Sequence, residues 1–396
     1  MTQLPRRLPS IDVFRAITMF LMIFVNDLWT LKGIPAWLEH TKAAEDGMGL
    51  ADTIFPAFLF IVGLSIPFAL LARQSKGASQ KQTFFYICTR SLALLLMGFF
   101  HINLENYNGS VAILPEPVWE IIITIGFFLI WLDYPAVMQK KKKIILQCTG
   151  ILLLVVMALL YKGGSPEKTT WMRPYWWGIL GLIGWSYLLC ACIFLFSKGK
   201  LTLLVGALAF FILFNTATDA GWLSFLHNVK KYIWIVGDGS MPALTMAGVV
   251  TAVVYRKFSD KQKFNLLWMV LAGLALFMFI IGFALRPYWG ISKIRATPSW
   301  VTICSGMSIV FFALLIWLVD MKKKQKWFDI IKPAGTSTLT CYLLPYIHYA
   351  IFSLVGLSLP LVLRTGVIGI TKSLLYALII ILVAGVLEKR RIRLKV

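Results

Sequence analysis

Long apolar stretches, each bounded by short polar or charged segments, recur along the whole chain and set the reading of its fold. A hydrocarbon core of roughly 30 Å takes about 20 apolar residues in a helix. Stretches of that kind fall at 12–31, 50–72, 84–101, 116–133, 144–162, 174–196, 200–217, 240–257, 264–285, 297–319, 334–356 and 367–387. They predict an all-α polytopic transmembrane helix bundle of about twelve spans, with ten as the lower bound. The least distinct boundary is between the sixth and seventh, joined only by Ser197 to Gly199. No polar stretch is long enough for a separate soluble domain, so residues 1–396 read as one transmembrane unit.

Charge gives the bundle an orientation. The chain has 39 Lys and Arg against 17 Asp and Glu, a net charge of +22. In a soluble protein that balance would suggest nucleic acid. Here the basic residues cluster in short connections: Arg6-Arg7, Arg73 to Lys81, Lys140 to Lys143, Lys198 to Lys200, Arg256 to Lys263, Lys322 to Lys326 and Glu388 to Lys395. Every even-numbered connection is basic, which is the positive-inside pattern. The segment His101 to Pro117 holds Glu105 and Glu116 but no Lys or Arg. The alternation expects both termini in the cytoplasm and no nucleic-acid partner, with the basic tags also touching anionic lipid. It puts the segment around residue 40 outside, on the periplasmic face of a Gram-negative inner membrane. Arg6-Arg7 before an apolar run resembles a signal peptide. The run contains Asp12 and Arg15 and lacks a small-x-small cleavage site, so it is expected to stay as the first helix.

The six cysteines, Cys88, Cys148, Cys190, Cys192, Cys304 and Cys341, lie in or at the ends of apolar spans. They read as small buried hydrophobes, with neither a disulfide framework nor zinc spacing, and no metal site is expected. No P-loop, no Gly-x-Gly-x-x-Gly after a strand and no Gly-x-Ser-x-Gly elbow is present. That excludes ATP-driven transport, nicotinamide enzymes and the common serine hydrolases.

The candidate chemistry sits at the outer ends of the first two spans. Asn26 ends the first, His40 lies in the connection and Asp52 opens the second. Helices joined by a short connection are neighbours, so these three side chains are expected to converge. Histidine is the usual base when a hydroxyl or amine must lose a proton as it attacks. It can also attack a thioester itself and hold the acyl group briefly. Asp52 would orient the imidazole, and Asn26 would donate to a developing oxyanion. Helix capping is the plainer role for Asn26 and Asp52. At the inner end, Asp12 and Arg15 are three apart on one helical face and suit an ion pair. They, with Arg90, equally suit an anionic cytosolic ligand. Outward connections carry Arg173-Pro174-Tyr175-Trp176-Trp177, Arg286-Pro287-Tyr288-Trp289 and Ser299-Trp300. Trp176, Trp177, Trp289 and Trp300 read either as an interfacial aromatic belt or as a platform for sugar rings.

Taken together, Asp12-x-Phe14-Arg15, Phe24-Val25-Asn26, His40 and Asp52-x-x-Phe55-Pro56-x-Phe58-x-Phe60-Ile61-x-Gly63-x-Ser65 resemble the heparan-α-glucosaminide N-acetyltransferase family and its bacterial relatives, within the wider transmembrane acyltransferase group. Arg173-Pro174-x-Trp176-Trp177-Gly178-Ile179-Leu180-Gly181 and Ala296-Thr297-Pro298-Ser299-Trp300 resemble bacterial members. The resemblance implies an acetyl group passing from cytosolic acetyl-CoA to a glucosamine-like amine, or another sugar, across the membrane. It implies His40 as the essential histidine, Asn26 beside it, Asp52 in support and CoA phosphates at the basic inner ends. Two departures stand out. Ala16 replaces the Gly of a Phe-Arg-Gly motif, and Thr41-Lys42-Ala43-Ala44-Glu45-Asp46-Gly47 replaces a shorter Trp- and Gly-containing stretch after the histidine. The reading admits a homo-oligomer. Two rivals are a solute transporter without covalent chemistry, which Pro56, Pro67 and Pro345 would suit, and an inactive scaffold.

Overall fold

The computed structural model describes residues 8–230, 232, 234–259 and 263–396. Among them are helices α1 (Pro9–Asp27), α2 (Leu50–Gln74), α3 (Gln80–Ile102), α4 (Glu116–Trp131), α5 (Lys140–Leu160), α6 (Ile179–Phe196), α7 (Leu201–Asp219), α8 (His227–Lys230), α9 (Ser240–Ser259), α10 (Phe264–Trp289), α11 (Pro298–Leu315), α12 (Lys332–Thr336), α13 (Thr338–Leu354) and α14 (Gly366–Lys389). All but the short α8 and α12 fall one to each predicted segment. Among the described residues eight helices are long and apolar enough to cross a membrane, and α13 is a shorter apolar one. The chain is thus a helical, multi-pass membrane protein. The strands among the described residues are one two-residue hairpin, Gly163–Gly164 with Thr169–Thr170. Arg6-Arg7, residues 260–262 and the His227 side chain lie outside the described residues.

Burial separates a central group of helices from a peripheral one. Helix α9 is enclosed along almost its whole length, and α2, α6 and α11 are mostly buried. Helices α5, α7 and α10 keep most of their apolar surface on the outside of the bundle, as lipid-facing helices do. This corrects the expectation for the cysteines. Cys190, Cys304 and Cys341 are buried, Cys88 and Cys192 are half-buried, and Cys148 is exposed on α5, which packs on one side only; all six are free thiols.

Without a hydrophobic drive between apolar helices in lipid, packing rests on close approach at small residues. Three glycine pairs do this: Gly63 with Gly248 between α2 and α9, Gly98 with Gly181 between α3 and α6, and Gly126 with Gly150 between α4 and α5. The tightest is the first. A Cβ on Gly63 would stand 1.8 Å from the Thr245 carbonyl oxygen, and one on Gly248 would stand 2.0 Å from that of Phe60.

Consecutive long helices alternate in direction, and their connections meet edge to edge at two ends. At the His40 end, Gly47 N–H donates to Ile291 O at 3.0 Å and Lys32 N–H to Arg364 O at 2.8 Å. Asn103 exchanges hydrogen bonds with Arg173, Trp176 donates to Tyr232 O, and Asn215 donates to Ala296 O. At the opposite end, Ser10 N–H donates to Asp320 at 3.2 Å, Arg393 pairs with Asp133 at 2.9 Å, and Leu394 N–H donates to Thr340 at 3.0 Å. The first and last described residues therefore share the end opposite His40.

Candidate active site

The His40 loop is built around one carboxylate. After α1 the chain makes short 3-10 turns at Leu28–Thr30 and Ala36–Leu38, then runs without regular structure to Gly49. Gly33, at φ +63°, takes a left-handed turn. Gly49 packs so closely that a Cβ there would stand 1.9 Å from Glu39 O. Asp52 lies in the first turn of α2 and is wholly buried. One oxygen accepts the backbone N–H groups of Gly49 and Thr41, each at 3.0 Å. The other pairs with His40 Nδ1 at 2.6 Å. Asp52 therefore caps its helix and orients the imidazole at once. A carboxylate at Nδ1 holds the proton there and leaves Nε2 as the lone-pair nitrogen. The His40 side chain keeps 47% of its surface exposed.

The backbone of Asp52 has a partner of its own. In a helix its carbonyl would accept the N–H of residue 56, but Pro56 has none. The Trp300 indole fills the place, Nε1–H donating to Asp52 O at 3.1 Å. Trp300 is fully buried. No ring face is offered to a sugar, so the expected platform role gives way to a structural one. Removing this donor as Trp300→Phe should cost about 1–3 kcal/mol, the penalty for an unpaired buried carbonyl. Thermal unfolding would measure it. Pro56→Ala in the same chain restores an N–H and should recover part of the loss. Strict additivity of the two changes would dismiss the pairing.

A third group at His40 was not foreseen. Lys293, between α10 and α11, places Nζ 3.3 Å from both ring nitrogens. Because Nδ1–H faces Asp52, Nε2 is the nitrogen that can accept from it. Burial pushes Lys293 below the usual lysine range, and the Asp52 charge works against that. Asp46 docks the same corner. It accepts Ile291 N–H at 2.7 Å and pairs with Arg286 at 2.9 Å, which together hold its carboxyl below the usual range. The unusual stretch after His40 thus anchors the loop to the α10–α11 turn.

Asn26 does not join His40 and Asp52. It is exposed into a cavity of about 410 Å³ with Trp29, Glu120, Tyr342, Tyr346 and Tyr349. The reason is the next residue. Asp27 is buried and accepts from Lys372 and Ser373 on α14 and Tyr349 on α13, each at 2.5 Å. That clamp fixes the rotation of α1. Adjacent positions on a helix point about 100° apart, so Asn26 faces the cavity while the loop carries His40 toward α10 and α11. His40 lines neither this cavity nor the next.

A second cavity, about 480 Å³, occupies the opposite half of the bundle and collects Asp12, Arg15 and Arg90. Arg15 pairs with Asp12 at 3.2 Å and donates to Ser65 at 2.6 Å and Gly335 O at 3.3 Å. Arg90 donates to Tyr86 and lies over the Tyr187 ring. The methyl of Ala16 is accommodated because Gly335 opposite it has no Cβ; one there would stand 3.4 Å from the Ala16 Cβ and 2.6 Å from Asp12 O. Met19, Ile179 and Tyr342 line both cavities, which makes them neighbours along the bundle. Of the other tryptophans, Trp177 is 56% exposed and donates to Glu105. Trp176 is half-buried against Trp185, and Trp289 is half-buried beside the Asp46 anchor. All three are at the His40 end. Among the described residues no group of three or more His, Cys, Asp or Glu could hold a metal.

The DUF5009 profile, described as a domain of unknown function, matches residues 7–238, a stretch that holds Asn26, His40, Asp52, Arg90 and Glu120. The chain belongs to this family. It is also similar to heparan-alpha-glucosaminide N-acetyltransferase of Homo sapiens, 36% identical over 107 residues, which is 27% of this chain and 15% of that protein. The Mus musculus protein of the same name is 32% identical over 101 residues, 26% of this chain and 14% of its own length. The matched stretch thus spans about a seventh of these curated relatives. The resemblance read from the N-terminal motifs is shown by these matches.

Proposed function

We propose that this DUF5009 protein is a transmembrane acetyltransferase that takes acetyl-CoA from the cytoplasm and acetylates an amino sugar, or another sugar, on the periplasmic side of an inner membrane. The observation that carries this reading is the 2.6 Å contact between His40 and the buried Asp52. It is a base with its orienting acid, in a protein similar to named N-acetyltransferases. Nε2 would take the acceptor's proton once Lys293 gives up its contact and the His40 loop turns toward the Asn26 cavity, which it does not line at rest. Acetyl-CoA supplies the thioester. Arg15, Arg90 and the surface cleft of Arg73, Lys76 and Lys81 would hold its phosphates. The cavity beside Arg15 would take the arm, and Asn26, in the adjoining cavity, would meet the acyl end. Twelve spans with both termini cytoplasmic would put donor and acceptor on opposite faces.

Reconstitution into sealed vesicles tests this. With acetyl-CoA on the side of the basic end and glucosamine on the other, acetylated sugar should accumulate in the glucosamine compartment only. No acetylated sugar in either compartment would refute the reading. The adjoining cavities and the buried Asp27–Lys372 pair also suit a transporter, since charged groups inside membranes mark solute or ion paths. Transport of the sugar without release of CoA in the same vesicles would favour that alternative.

A further inference from the structure

The cavity that holds Asn26 carries an acid with no partner of opposite charge. Glu120, on the first half of α4, lines it. Among the described residues its carboxylate makes no hydrogen bond or ion pair, and the charge that bears on it is Glu116, another acid. Asp27 and Lys372 do not supply the missing cation, because they neutralise each other next door at 2.5 Å. The rest of the lining is neutral: Asn26, Trp29, Tyr342, Tyr346 and Tyr349. A carboxylate in a partly enclosed, low-dielectric site is stable only with a counter-charge or a proton.

The walls suit a cation too. Tyr346 is held from behind by His101, whose ring stacks on it at 4.3 Å. Among the described residues neither nitrogen of that buried imidazole has a hydrogen-bond partner. Trp29 meets Tyr349 edge to face at 5.8 Å. Aromatic faces around a single carboxylate attract ammonium groups. The Tyr342 and Tyr346 hydroxyls, 3.2 Å apart, and the Asn26 amide offer hydrogen bonds to ring hydroxyls. The volume, about 410 Å³, falls within the range of small-molecule sites.

We propose that this cavity is a binding site for a protonated primary amine on a hydroxylated ring, with the Glu120 carboxylate as its counter-charge. The identity of the occupant as acetyl acceptor rests on the function proposed above; the recognition of the amine does not. An N-acetylated ring carries no charge, so it would lack the ion pair with Glu120.

The test is equilibrium binding to the purified, full-length protein without acetyl-CoA, using D-glucosamine, glucose and N-acetylglucosamine as probes. Glucosamine should bind at least tenfold more tightly than either neutral sugar. Glu120→Gln should lose that preference while eluting and unfolding like the wild type. If that variant does not fold, Trp29→Ala, at a position 74% exposed, should weaken glucosamine binding several-fold. Equal binding of glucosamine and glucose to the wild type, no glucosamine binding at all, or an undiminished preference in Glu120→Gln overturns the proposal. So does undiminished binding in Trp29→Ala where that variant is the one used. Acetyl-CoA turnover is read separately. Amine binding without turnover would remove the acetyltransferase reading and leave this site. Turnover unchanged by Glu120→Gln would leave the acetyltransferase reading and place its acceptor outside this cavity.

Discussion

His40→Ala is expected to reduce acetyl transfer by roughly 10²- to 10⁴-fold, the usual worth of a positioned acid–base group. Among the described residues, the imidazole is the one side chain hydrogen-bonded to the Asp52 carboxylate. The other donors to that carboxylate are the backbone N–H groups of Thr41 and Gly49. They would still cap α2 in the variant, so thermal stability should hardly change. Asp52→Asn is the companion case. It keeps the shape but can present its amide to Nδ1, which favours the wrong tautomer, and it weakens the cap as well. Activity and stability should therefore fall together at Asp52 and separately at His40. Initial rates with acetyl-CoA and glucosamine, beside unfolding curves in the same detergent, would decide. Full turnover in His40→Ala would end the case for this histidine.

A large structural effect is expected at Gly248, on the α9 side of the tightest helix crossing. A methyl there would lie 2.0 Å from Phe60 O and 2.9 Å from Leu64 N. These are backbone atoms of α2 that no rotamer change can move. The helices must separate by about an ångström or more along their crossing. Overpacking usually costs 1–3 kcal/mol, and about 3 kcal/mol or more is expected where backbone meets backbone. Gly248→Ala should give a lower unfolding temperature and less folded protein. Gly273→Ala, on the outer α10, is the control, since a Cβ there meets nothing within 4 Å. Equal behaviour of the two variants would show that the α2–α9 contact does not limit stability.

How much of this could be read from the chain depends on range. The helices were legible because apolar length is a local property. The Asp52 cap was legible because it is made within four residues. Lys293 was not: its contact with His40 joins residues 253 apart, and a lysine in an aromatic outward loop carries no mark of it. Trp300 was misread for a related reason. Its burial answers the missing N–H of Pro56, a gap visible in the sequence, but the pairing spans 248 residues. Asn26 failed on rotation. Nearness to the helix end was plain, yet which of Asn26 and Asp27 would face the cavity is set by α13 and α14. Lys372 did carry a signal, since it is the single charge within its predicted apolar span, whereas Glu120 shares its span with Glu116 and Asp133 at the two ends.

Helix α1 carries Arg15 in one cavity and Asn26 in the other. They are 11 residues apart, about 16 Å along the axis at 1.5 Å per residue. Asp27, held from two helices, fixes the far end, and Arg15, held to Ser65 and Gly335, fixes the near one. The helix is a ruler with both ends pinned. Under the proposed reading it selects donors by reach. A thioester on a short thiol would lie in the first cavity without arriving at the second, however well its acyl group fits. Adding or removing one residue between the two marks would turn the far one by 100° as well as shifting it, so the measure and the aim of α1 cannot be changed independently.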